Sequence, residues 1–416
     1  MDETRTRTAD VPGFSSGAPL IDAVADWLMS QALGDTDMEG LIDGCCNRLH
    51  AAGIPLLRAH VAFRTLHPLF EAVSLTWRRR EGIETTGYRH GDAEQDAWRQ
   101  SPYFHMIETR IPFLRRRLAG PEATLDFPIL TEFRDEGATD YFAYLVGFGV
   151  RRVGRRRLQD GICGSWTTDR RSGFSDSDIR SLNRIQRRLA VACKVTINNQ
   201  IARNVVTTYL GPDAGQQVLH GQIKRGDGET VHAVVWLSDL RNSTELADTM
   251  PTHDFLSVLN SYFECTAGAV LAHGGDVLLF VGDAVLAMFP IRDGEAPTRA
   301  ACQSALNAAR EAQLRLAKVN RERAKTNQAT LAFGIGLHVG HVVYGNIGVP
   351  ERLQFTVIGS ATNVASRLED LTKALDRNLL VSAEFAANLP VAWEPMGRHE
   401  LRGLGERQEV FAAPPA

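Results

Sequence analysis

The alternation of apolar and polar positions changes period several times along this chain. Two short apolar runs, 277–281 and 284–289, meet at Gly282-Asp283. The segment GGDVLLFVGDAVLAMF therefore predicts two buried strands joined by a two-residue turn. Residues 231–237 (VHAVVWL) predict another buried strand, followed by Ser238-Asp239 and a polar turn into a helix. Helical spacing marks 251–273, with Phe255, Leu259, Tyr262, Thr266 and Val270 on one face, and an alanine-rich stretch over 296–323. Residues 330–339 alternate as a strand, 345–348 read as a turn, 353–358 as a further strand, and Ser360 or Thr362 as the cap of a helix reaching Ala374. The order βαββαβ predicts a ferredoxin-like sheet.

Before this region the pattern differs. Residues 1–18 read as a disordered lead, and 19–33 and 37–52 as helices. Strand-like runs follow at 56–66, 72–78, 125–130, 141–150 and 161–167. Ser175–Asp178 starts a long helix carrying Ile179, Leu182, Ile185, Leu189, Cys193 and Ile197, whose spacing suits either intradomain packing or a coiled coil. The expected organisation is a lead over 1–18, an α+β domain with its exit helix over 19–200, a linker over 201–229, and a second α+β domain over 230–416.

Composition narrows the classes. With 416 residues, two domains are expected, and a net charge of −3 makes no electrostatic case for nucleic acid or anionic membrane. No apolar run reads as a bilayer span, the longest candidate being the hairpin that Asp283 interrupts, and the polar start MDETRTRTADVPG lacks a secretory pattern. Six scattered cysteines fit reduced thiols, so the expected location is cytoplasmic. His60, His67, His90 and His105 read as ordinary polar residues, and the basic run RRVGRRR as a solvated hairpin.

The candidate chemistry sits at strand ends. Asp239 and Asp283 each close an apolar strand, where a carboxylate is costly unless it meets water or a cation. Leu240, Arg241, Asn242, Ser243 and Thr244 form a strand-to-helix turn of the kind whose backbone N–H groups bind phosphates. Asn363 and Arg367, four apart on the last helix, share a polar face away from Val364, Leu368, Leu371 and Leu375. Paired carboxylates, a phosphate turn and an arginine together suit metal-assisted phosphoryl chemistry.

The segments VVWLSDLRNSTELA, GGDVLLFVGDAVLAMFP, FGIGLHVGHVVYGNIG, ERLQFTVIGSATNVASRLEDLTK and ELRGLG resemble the class III nucleotidyl cyclase catalytic domain. The resemblance implies two Mg²⁺ or Mn²⁺ ions on Asp239 and Asp283, Asn363 on the ribose, Arg367 on the transition state and Arg402 on the triphosphate. It also implies a homodimer whose composite sites convert ATP to 3′,5′-cyclic AMP. Base choice in that family rests on positions occupied here by Leu279 and Thr356. Thr356 keeps half of an adenine signature, while Leu279 stands where adenylate-type members carry lysine. The alternatives are a cyclase of relaxed purine selectivity and a degenerate module that binds nucleotide or a partner without turnover. Residues 37–200, through GICGSWTTDRRSGFSDSDIRSLNRIQRRLAVAC, resemble a GAF-type sensor, which implies a small ligand and regulation of the catalytic domain.

Overall fold

The computed structural model describes residues 18–90, 95–153, 156–291, 295–401 and 407–413. The chain divides into two compact units, Met1–Val205 and Val206–Ala416. The disordered-lead expectation, Arg402 and the middle of the basic run at 154–155 fall outside the described residues.

The first unit opens with α1 (Ala18–Ala32) and α2 (Met38–Ala51), the latter capped by Asp37, which accepts from the Gly40 N–H at 2.7 Å. A six-stranded antiparallel sheet follows, made of β1 (Arg58–Arg64), β2 (Phe70–Arg78), β3 (Gly82–Arg89), β4 (Phe113–Arg117), β5 (Asp140–Val153) and β6 (Arg156–Thr168) in the order β3-β2-β1-β6-β5-β4. Between its strands lie α3 (Gln95–Arg99), α4 (Pro102–Thr109) and α5 (Pro128–Asp135). The strand expected over 125–130 is replaced by the start of α5. Pro128 supplies a first-turn residue there, and Leu130 and Phe133 are buried at helical spacing.

Helix α6 (Asp176–Leu210) begins with a reciprocal cap. The Ser175 N–H donates to the Asp178 carboxylate at 2.7 Å, and the Asp178 N–H to Ser175 Oγ at 3.2 Å. Its Leu182, Ile185, Leu189, Cys193 and Ile197 pack with α1, α2 and one face of the sheet. Asp140 is fully buried between Arg115 (2.7 Å) and Arg117 (3.3 Å) and accepts from the Phe174 N–H.

In the second unit α7 (Pro212–Leu219) precedes β7 (Gly228–Leu240), so much of the stretch expected as linker is ordered secondary structure. Next come α8 (Ser243–Thr249), α9 (Thr252–Ala272), β8 (Asp276–Val281), β9 (Ala284–Pro290), α10 (Glu295–Lys325), β10 (Phe333–Val349), β11 (Arg352–Ile358) and α11 (Ser360–Ala374). The unit ends with β12 (Leu379–Ser382), α12 (Ala383–Ala386), β13 (Glu394–His399) and β14 (Gln408–Ala412). The sheet order is β13-β14-β12-β10-β7-β9-β8, with β11 added to β10. The inner four strands, β10-β7-β9-β8, have the order expected of βαββαβ. One face of the sheet (Val234, Trp236, Phe289, Phe333, Ile335, Leu337) packs on α9 and α10.

Three expectations need correction. Gly345 and Gly348 lie within β10 and form no turn. Gly345 sits directly opposite Gly228, where an added Cβ would meet Asp227 O at 2.3 Å, so this glycine serves close backbone approach. Neither Ser360 nor Thr362 caps α11: its N-cap is Gly359, and the Thr362 hydroxyl donates back to Gly359 O at 2.7 Å. The longest apolar stretch is α9, not the hairpin. At 21 residues and a mean hydropathy of 1.2 it is long and apolar enough to cross a membrane, yet Val258, Tyr262, Ala267, Ala269 and Val270 are buried in this unit's core.

Helix α11 covers the other face of β10 by very close packing. Gly334, Gly336 and Gly340 share that face by two-residue alternation. A Cβ on Gly336 would stand 2.2 Å from Ala365 O, and one on Gly340 2.8 Å from the Ala361 Cβ. Small residues on both sides thus bring the helix that carries Asn363 and Arg367 onto the strand beside Asp239.

Candidate active site

Asp239 lies near the end of β7, opposite Ala284 of β9 on one side and Gly334 of β10 on the other. Asp283 occupies the turn of the β8–β9 hairpin, where Val281 pairs with Ala284 and Gly282 takes a φ of 61°. The register therefore brings the two carboxylates to the same end of the sheet. Burial raises the Asp239 pKa above the usual carboxylate range, and the negative charge of Asp283 raises it further; Lys373 and Arg241 oppose this. A like-charged pair at a half-buried strand end suits a divalent cation. Two carboxylates, completed by water and substrate phosphates, are a donor set that Mg²⁺ accepts.

The phosphate turn divides into two parts. Leu240 is buried, and its backbone belongs to β7. The Arg241 N–H donates to Ala332 O at 2.8 Å, and its guanidinium turns inward to Thr372 Oγ1 and to Glu369, 3.8 Å away. The Arg241 backbone N–H expected on a phosphate is therefore engaged within its own unit, and so is the side chain. Asn242, with a φ of 57°, turns the chain into α8, leaving the N–H groups of Ser243 and Thr244 as first-turn donors without intrahelical acceptors.

Around Asp239 the structure adds residues that the sequence reading missed. Lys373 Nζ stands 3.8 Å from Asp239 Oδ1. Glu369 is buried, and desolvation, then the charge of Asp239, pushes its pKa up to about 7. The available signal was spacing: Glu369 follows Ala361 and Ala365 at four-residue intervals on the buried stripe of α11.

Asn363 is exposed on α11. Arg367 is partly exposed and pairs with Asp370 at 2.9 Å, while its Nε is buried with no hydrogen-bond partner. An exposed i,i+3 pair contributes roughly 0.2–0.5 kcal/mol, so Arg367 exchanges it readily for a stronger anion. Asn363 lies ten residues before Lys373, about 15 Å along the helix.

Leu279 pairs with Leu286 beside a bulge in β8 and packs on a cluster that includes Phe355 and Val357 of β11. Thr356 stands between those two residues and projects to the opposite face of β11. The apolar setting of Leu279 has a packing cause: it joins Leu278, Leu286 and Met288 in the same cluster.

Residues 228–412 match the family model described as the adenylate and guanylate cyclase catalytic domain. An adenylate cyclase of Anabaena cylindrica is 36% identical over 171 residues, covering 40% of this chain and 32% of that protein. Among solved structures, a bacterial light-regulated adenylyl cyclase is 29% identical, covering 44% of this chain and 91% of that one with a TM-score of 0.38. The guanylyl cyclase Cya2 is 25% identical, covering 45% and 93% with a TM-score of 0.40. The chain spans between about a quarter and a half of the length of the curated relatives it matches. Residues 228–412 of this chain are an adenylate/guanylate cyclase catalytic domain.

Proposed function

We propose that this domain cyclises ATP to 3′,5′-cyclic AMP and pyrophosphate. The observation that carries the reading is the convergence of Asp239 and Asp283 at one strand end, with mutual repulsion that a divalent cation relieves. Asp239 and Asp283 would hold Mg²⁺ or Mn²⁺, which when bound supplies charge neutralisation at the phosphates and activation of the attacking hydroxyl. The Ser243 and Thr244 N–H groups receive the triphosphate, and Arg402 meets it from the C-terminal segment. Asn363 orients the ribose. The 3′-oxygen attacks the α-phosphorus and loses its proton, and the bond to the pyrophosphate oxygen breaks. Arg367 stabilises the negative charge that gathers on the phosphoryl oxygens.

The site is composite in this reading. The carboxylates come from one copy and Asn363 and Arg367 from a second, in a two-fold dimer with two sites. The first unit, read as a GAF-like sensor, sets the activity through a small ligand. A second reading, relaxed purine selectivity, is favoured by Leu279, which offers neither purine a hydrogen bond; Thr356 alone can accept from the adenine amino group. Losing one such contact costs about 1–3 kcal/mol of discrimination.

The test is cyclic AMP formation with Mg²⁺ or Mn²⁺ by the wild type beside Asp283→Ala. Equal, background-level product from both at every metal and ATP concentration rejects turnover and leaves a nucleotide- or partner-binding module. Comparing ATP with GTP in wild type and Leu279→Lys then measures base choice. An unchanged ratio removes Leu279 from the base pocket.

A further inference from the structure

The sheet of the first unit has two unlike faces. One packs apolar residues on α1, α2 and α6. The other carries Arg58 and His60 of β1, Thr76 of β2, Tyr141 of β5, and Ser165 and Thr167 of β6, placed side by side by the pairs Arg58–Thr167, His60–Ser165, His60–Thr76 and Tyr141–Thr167. Helices α4 and α5 cover this polar face with Tyr103, Met106, Leu130 and Phe133.

The hydrogen bonds on this face are incomplete in a consistent way. The Tyr103 hydroxyl donates to Ser165 Oγ at 2.9 Å and lies 2.9 Å from His60 Nδ1. Burial, then the charge of Arg58, pushes His60 down to about 3, so it is neutral. Burial likewise raises Tyr103 and Tyr141, which stay uncharged phenols. Arg58 therefore keeps its charge among neutral partners, with Arg78 directly across the strand pair. The Arg58 guanidinium lies 4.6 Å from the Phe133 ring and reaches Thr76 Oγ1 at 3.4 Å, yet Nε is buried with no partner. Thr167 Oγ1, directly across the strand pair, is buried and unpartnered as well. Among the described residues Arg58 forms no ion pair. Its neighbour Arg78 is engaged by Glu81 and Glu84, and Glu136, whose charge Arg58 feels, is exposed at the end of α5. Arg58, His60 and Tyr103 each keep part of their surface accessible, while Arg58 Nε and Thr167 Oγ1 are buried.

A desolvated cation without an anion is costly, and folding alone gives no reason to keep it. We propose that this face binds a small organic carboxylate. Its head group accepts from the Arg58 fork and from the Thr167 hydroxyl, and its hydrocarbon part lies against Phe133, Tyr103 and Met106. One planar fork and one hydroxyl balance a monoanion; among the described residues no second unpaired cation is present on the face to favour a phosphate dianion. The inference is independent of the cyclisation reading, because binding is measured without turnover.

The test uses the full chain, with acetate, butyrate and benzoate as probes, benzamide as the uncharged counterpart of benzoate, and inorganic phosphate at matched ionic strength. Calorimetric titration and thermal unfolding report binding. At least one carboxylate is expected to bind saturably and raise the melting temperature, with benzamide at least tenfold weaker than benzoate. Arg58→Met is expected to abolish binding while melting, without ligand, no lower than wild type, as a cation kept for a ligand requires. Thr167→Val, which leaves Arg58 in place, is expected to weaken binding severalfold. No saturable binding by any of the three carboxylates overturns the proposal. So does binding unchanged in Arg58→Met, or phosphate binding as tightly as the best carboxylate. A several-degree loss of ligand-free stability in Arg58→Met also overturns it, since the cation would then be structural.

Discussion

Replacing Gly336 with alanine tests the contact that holds α11 in place. The new Cβ would stand 2.2 Å from Ala365 O, 2.7 Å from Glu369 N and 3.1 Å from Leu368 Cβ. Ordinary carbon contacts lie near 3.5 Å, so helix and strand must part by about 1 Å. The obstacle is backbone, which no rotamer change can relieve. Overpacking of this kind costs about 1–3 kcal/mol. Because α11 carries Asn363 and Arg367, a displacement of about 1 Å is also expected to lower cyclase turnover by roughly 100-fold. Gly340→Ala differs in kind, since its Cβ would meet the Ala361 side chain at 2.8 Å. Ala361→Gly should therefore relieve Gly340→Ala, with a favourable coupling of about 1 kcal/mol after correction for the single variants. Ala365→Gly should not relieve Gly336→Ala, because the clash is with the carbonyl. Amide hydrogen exchange in β7 and β10 reads the unfolding free energy of this unit within the full chain. Gly336→Ala within about 0.5 kcal/mol of wild type, or equal rescue in the two cycles, would refute the placement of α11.

Two further outcomes follow from buried charges. Glu369 has its pKa raised to about 7, by burial first and by Asp239 second, so the folded state binds a proton that the unfolded state releases near pH 4.5. Its contribution to stability is present below pH 4.5 and is lost as pH rises through about 7, a cost of about 3 kcal/mol above that. In metal-free protein Glu369→Gln should therefore be the more stable form at pH 8.5, with the gap closing by pH 5; a variant less stable at pH 8.5 than at pH 5, relative to wild type, contradicts this. In the first unit, Asp140→Ala should cost about 3–5 kcal/mol by stranding Arg115 and Arg117, and denaturant unfolding showing under about 1 kcal/mol would deny the pair its role.

The sequence was most legible where one force decided the outcome. The 277–281 and 284–289 runs read as strands and Gly282-Asp283 as their turn, so the register of the carboxylates was readable; burial holds for β9, whereas Phe280 and Val281 of β8 are exposed. Glycine was ambiguous, because it serves both turns and close approach. Gly345 and Gly348 read as a turn but lie in β10, and the stripe of Gly334, Gly336 and Gly340 passed unread as a helix-docking surface. The run at 125–130 misled for a related reason: a short apolar segment suits strand or helix, and Pro128 settles it as a helix start. Arg241 was read as part of a phosphate turn through its backbone N–H, which instead pairs with Ala332 O. The inward partner of its side chain, Glu369, lies 128 positions away in sequence, and only the packing of α11 on β10 brings them together.

The central claim, a site shared between two copies, is tested most directly by mixing two inactive variants. Asp283→Ala lacks a carboxylate and Arg367→Ala lacks the cation proposed to stabilise the phosphoryl oxygens, and each alone should form no cyclic AMP. In a two-fold dimer every mixed pair holds one intact site, so an equal mixture should recover about a quarter of wild-type activity. A mixture as inactive as either variant, in protein shown to exchange subunits, would contradict a site built from two chains.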